Sequence, residues 1–386
     1  SQVASLKVAQ VAAIETRDLV GMSTSQVAAL TATQVKALKT SQLQALTTDQ
    51  IKAIETADLA SMTATQVGAF SSSQIRALSS TQLNSLTVAE LNALSSSQLQ
   101  SLSTDQVSAL STSSTAKLKS TQVASLSTAQ VAALTTAQVG ALAATSVAAL
   151  GSNQLNAMTT SQVGALTAAQ IKGLSSSTFA SMGTTQVAAL TTGQVAGLSV
   201  AVVGAMTSTQ VSAMTTSQVQ SLTANQVKAL AADKVAAMTT TQVAAFTSDQ
   251  IKSLSATQLQ ALTTSEVAAM GTAQVKALTV EQVGSLSTTG VSGLSTTQVG
   301  VLGTDQIQSF TAGGVSTLST AQLAAMTTTQ IRGLSNAGVA ALTTTQTSTL
   351  STDRLAALTT DQVKSLSTGS VSTLGTAQVK AMTSDQ

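Results

Sequence analysis

One spacing of apolar residues runs through the whole chain. Starting at Leu6, every eighth residue to Met382 is Leu, Ile, Met or Phe, which makes 48 such positions without an insertion or deletion. Lettering the octad a to h from Leu6, position f is Val, Ile, Leu or Phe in 46 of 48 copies, with Thr115 and Thr347 as the exceptions. Positions b and c are mostly Thr or Ser, e is Gln in 35 of 49 copies, and h is nearly always Ala, Ser or Gly. The consensus L-T-T-x-Q-V-x-A is seen twice in residues 126–142. Self-similarity of this kind signals a repeat architecture. We expect a single uninterrupted array over residues 1–386, forming part of a longer one.

The octad carries the capping-box spacing, a hydroxyl three residues before Gln. In Thr135-Thr136-Ala137-Gln138 the Thr135 hydroxyl is placed to accept from the backbone N–H of Gln138. The Gln138 amide is placed to reach back to the N–H of Thr135. A helix then runs to Leu142, and the next start is weaker because Ala143 has no hydroxyl. On a wheel of about 100° per residue, a and f share one face with b between them. Positions c, d and g fall on the far side. Charge follows this division, with ten of 17 basic residues at g and nine of 15 acidic residues at d. Asp49/Lys52, Asp249/Lys252 and Asp361/Lys364 stand in helix-compatible i,i+3 order.

A continuous helix is excluded, since an apolar stripe repeating every eight residues drifts by about 80° per repeat. Helices of about two turns, capped every eight residues, are unstable alone. They must stack, burying a and f, with small h residues allowing close approach. The expected fold is therefore all-α, a solenoid or superhelix of very short capped helices, one per octad. The alternative is a β-solenoid, in which strand alternation puts a and f on opposite faces.

A second rhythm overlies the first. The 14 replacements of Gln at e are Asp18, Asp58, Glu90, Ser114, Ser146, Thr178, Val202, Lys234, Glu266, Gly290, Gly314, Gly338, Arg354 and Ser370. Their spacing of two to five octads reads either as duplication history or as a seam recurring once per turn of three or four octads.

Composition narrows the function. Cys, His, Pro, Trp and Tyr are absent, and only 8% of residues are charged. That removes disulfides, thiol chemistry, His-based catalysis and Cys/His metal sites. The net charge of +2 has no Lys/Arg cluster behind it, so nucleic acid is not an expected partner. Mean hydropathy is +0.30, yet Ser, Thr or Gln interrupts every octad, so no membrane-spanning segment is expected. Few charges and little net charge favour self-association.

We assign no catalytic, cofactor-binding or metal residues and expect no enzyme. The acidic pairs Glu15/Asp18 and Glu55/Asp58 read as charge at helix N-termini. Met at position a reads as core filler, and Thr115 and Thr347 as buried hydroxyls bonding a backbone carbonyl. The Thr/Ser rows read as caps and solvated surface. Their other readings are O-linked glycans, or binding of ice or polysaccharide; ice binding needs a flat exposed lattice, which b residues turned toward the core would not offer.

The run Ala133-Leu134-Thr135-Thr136-Ala137-Gln138-Val139 resembles the tandem L-[ST]-x-x-Q-[VI]-x-[AG] repeats of large exported proteins of Gram-negative bacteria. The resemblance covers the whole chain and implies an extracellular or cell-surface location. On these grounds we expect a structural extracellular protein, either a self-associating filament subunit or the rod of a giant adhesin. The alternative is a repetitive binding surface for ice, polysaccharide or a partner protein along a rod.

Overall fold

A computed structural model describes residues 2–386. The chain divides into two compact units, Ser1–Gly197 and Leu198–Gln386, and each unit has the same internal arrangement. The described residues form 47 α-helices of four to six residues and no strand. The all-α expectation holds and the β-solenoid is not realised.

Each helix starts at c and ends at f, g or h, after an extended N-cap residue at b. In the helix Thr136–Ala141, the N-cap Thr135 has φ −72° and ψ 159°, and the C-cap Leu142 has φ −58° and ψ 142°. The capping box is closed as expected. Gln138 N donates to Thr135 Oγ1 at 3.2 Å, and Thr135 N donates to Gln138 Oε1 at 2.7 Å. The next N-cap, Ala143, makes no side-chain cap bond. No described residue has a positive φ. Six-residue helices thus stop by stepping into extended backbone at a, and shorter ones through a C-cap still in the αR region, as at Ala149 with φ −84° and ψ −8°, rather than through a left-handed glycine.

Positions a and f form the core. Leu134 is 5% and Val139 1% exposed, and burial of such side chains contributes about 1.5–3 kcal/mol each before entropy. Position e, which is polar, is equally buried, with Gln138 at 1%. The wheel misplaces one row: Thr135 at b is exposed, together with Thr136 and Ala137. An N-cap residue is not helical, so the 100° step does not apply to it. The expectation that b turns toward the core is corrected.

Helices stack on those three octads away, as Thr112–Ala116 does on Thr136–Ala141. Small residues permit the approach. A Cβ at Gly204 would lie 3.2 Å from the Ala229 carbonyl oxygen, and one at Gly293 would lie 2.8 Å from that of Thr264. The chain therefore closes a winding in between three and four octads.

Candidate functional site

The feature repeated on every winding is built from the glutamine at e. A glutamine amide has two ends, and the capping box uses only Oε1. The Gln138 Nε2 donates across to the winding beneath, to Val107 O at 2.8 Å, Ser108 O at 3.2 Å and Leu110 O at 2.7 Å. Gln250 repeats this with Val219 O, Gln220 O and Leu222 O at 2.8, 3.2 and 2.7 Å. These acceptors lie at the C-terminal end of the helix four octads back, where helical carbonyls lack intrahelical partners. One side chain thus satisfies the start of its own helix and the end of another. We call this the latch.

Some Asn and Gln residues at g make a second link that runs forward. Asn84 Nδ2 donates to Ala109 O at 2.8 Å, and Asn84 Oδ1 accepts from Ser111 N at 2.7 Å. Gln100 Nε2 reaches Ser125 O at 2.8 Å.

The replaced e positions show what the carbonyl nook accepts. Hydroxyls reach into it, from Ser146 to Leu118 O at 3.3 Å and from Ser370 to Leu342 O at 3.0 Å. So do cations: Lys234 Nζ donates to Gly204 O at 2.5 Å, and Arg354 to Met326 O at 2.9 Å and to Ala324 O. At the glycine row, neighbouring valines close the space: Cβ atoms on Gly314 and Gly338 would meet Val291 and Val315 at 3.2 and 3.0 Å. From Asp58 to Thr178, and again from Val202 to Gly338, the gaps are three or four octads. Within each unit each gap is therefore close to one winding.

The acidic pairs differ from each other. Glu15 and Asp18 are exposed and both are bridged by Arg17, at 3.4 and 3.3 Å. Asp58 is buried, and its pKa is raised above the ordinary carboxylate value, first by burial and then by the charge of Glu55. The three i,i+3 pairs form, at 3.3, 3.8 and 3.9 Å, with exposed partners. Thr115 and Thr347 are fully buried, each hydroxyl donating to a backbone carbonyl four residues back at 2.9 Å. Met62, Met158 and Met206 lie in the core.

A family model of the ALTTAQ repeat matches residues 11–48, 51–88, 116–144, 146–176, 168–200, 256–288, 283–312, 315–352 and 355–386. The chain belongs to the ALTTAQ repeat family. The six letters are read directly at Ala133–Gln138. The ALTTAQ octad continues through the stretches between the matches. Gln106 latches to Leu78 O and Gln242 to Met214 O, both at 2.6 Å. No curated protein matches the chain. No described helix is long and apolar enough to cross a membrane.

Sequence reasoning misses the latch, although a signal for it is present. A capping box accepts Glu as readily as Gln, yet e is Glu only at Glu90 and Glu266. A position that prefers the amide over the acid needs the NH2 as well as the oxygen.

Proposed function

We propose that the chain is a structural protein whose role is to extend: a self-associating filament subunit, or the rod of a giant surface adhesin. The observation that carries this reading is the uniformity of the latch. Every winding presents carbonyls on one side and Gln amides on the other, so a further winding fits whether it comes from the same chain or from another copy. In the first octads Gln10 and Gln26 close their caps, but their amides reach no carbonyl among the described residues. In the last octads the f residues Val371 and Val379 are 48% and 54% exposed, against 1% for Val139. Both features match groups that a further winding would cover, whether from the same chain or from another copy. Extracellular placement, Gram-negative origin and the absence of enzymatic activity belong to the same proposal. They rest on the resemblance and on a composition without His or Cys.

Negative-stain electron microscopy over a concentration series tests it. Uniform filaments that lengthen with concentration are expected. Particles of one fixed length at every concentration would overturn self-association.

One observation favours a binding surface as the second reading. The hydroxyls at b are exposed, and several pair with those at d, as in Thr207···Thr209 and Thr239···Thr241 at 2.9 Å. Binding to immobilised polysaccharide, lost when b and d threonines are replaced by valine, would favour that reading.

A further inference from the structure

Glu90 occupies a latch position with the wrong chemistry for it. It is 1% exposed. Its Oε2 accepts from Thr87 N at 2.5 Å, the place a glutamine Oε1 takes. That leaves Oε1 where Nε2 would be, turned by register toward the carbonyl oxygens of Leu59 and Met62. Those residues lie 31 and 28 back, the offsets at which Gln122 Nε2 bonds Leu91 O and Leu94 O. An oxygen thus faces oxygens. Glu90 Oε1 is buried without a partner; the other such side-chain oxygen among the described residues is Asn92 Oδ1. No described Lys or Arg lies within ion-pair distance of Glu90. Glu266 makes the same cap bond, with Oε2 accepting from Thr263 N at 2.6 Å, and is 4% exposed. Its register partners are the carbonyls of Val235 and Met238.

The same nook already takes positive charge elsewhere in the chain. Lys234 places an ammonium against Gly204 O, and Arg354 a guanidinium against Met326 O. A buried carboxylate without a partner is costly. A carboxylate joined by backbone carbonyls is an all-oxygen donor set of the kind hard cations take.

We propose that Glu90, with the carbonyls of Leu59 and Met62, and Glu266, with those of Val235 and Met238, each hold a hard metal cation. Two latches that would otherwise repel their acceptors then depend on that ion. Neighbouring windings are cross-linked there by the cation instead of by an amide.

Hydrogen–deuterium exchange on the full 386-residue chain tests this, in sodium, calcium and choline chloride at matched ionic strength and pH. Peptides covering residues 59–62 and 235–238 are read. Protection is expected to be several-fold higher in at least one metal salt than in choline. The difference should vanish in the Glu90→Gln/Glu266→Gln variant, which restores the amide and should be equally protected in all three. A gain in sodium identifies a monovalent ion, and a gain in calcium alone a divalent one. Equal protection of the parent chain in all three salts overturns the proposal. So does a salt effect that survives in the variant. Protection gained on acidification and indifferent to the cation overturns it too, placing a proton there.

Discussion

Gln138 and Leu110 are 28 residues apart in sequence and joined by a hydrogen bond of 2.7 Å, from the side-chain Nε2 to the backbone carbonyl. The same glutamine also holds Thr135 N at 2.7 Å. Local helix formation and stacking of the windings therefore share a side chain, and removing it damages both.

Gln138→Met should cost more than Thr135→Ala. The threonine change removes one cap bond, worth about 0.5–2 kcal/mol. The methionine change keeps the side-chain length but also leaves buried carbonyls of the winding beneath without a donor, at about 1–3 kcal/mol more. Denaturant unfolding of the two variants, with exchange read at residues 104–110, checks the order. Equal costs would mean that the Nε2 half contributes nothing.

Asp58 gives a signed pH dependence. Its folded pKa lies above the ordinary value of 3.8, so the folded chain holds this proton more tightly than the unfolded one. The stabilisation is fully present below 3.8 and is lost as pH rises through the raised folded value. Exchange of the helix Thr56–Leu59 should therefore quicken over that window in the parent chain. Asp58→Gln, which places the usual amide there, should flatten the profile.

Two glycine substitutions should have opposite signs. In Gly293→Ala the new Cβ meets backbone, the Thr264 oxygen at 2.8 Å, and overpacking of this kind costs about 1–3 kcal/mol. At Gly193 the nearest atom is 4.0 Å away. Gly193→Ala should stabilise by about 0.4–1 kcal/mol through the unfolded chain. Melting temperatures moving in the same direction would refute the packing assignment.

Leu190 is 4% exposed at position a. Leu190→Asp strands a charge in the core and should lower the thermal unfolding temperature, with protection lost first in the flanking octads. An unchanged profile would contradict burial of position a.

Much of the fold is legible in the residues, and each exception has its own cause. The helix in each octad, its cap and its buried a and f rows follow from local chemistry, as in Thr135, Gln138 and Val139. The partners of Nε2 lie four octads away, and local spacing cannot see them. Exposure of Thr135 escapes a helical wheel because the wheel treats a cap residue as helical. The number of octads per winding is present only indirectly, in the gaps between replaced glutamines such as Gly290, Gly314 and Gly338.

The latch and the stacked core both depend on the chain returning upon itself after between three and four octads. The sequence contains no Cys, so a designed disulfide reports on that return directly. A Cβ at Gly204 would lie 3.8 Å from that of Ala229, the separation a disulfide requires, about 3.8 Å. Gly204→Cys with Ala229→Cys should oxidise quantitatively within one chain. Gly204→Cys with Ser221→Cys, one octad shorter, should stay reduced. A cross-link in the shorter pair and none in the longer would mean a tighter winding of about two octads and would contradict the latch.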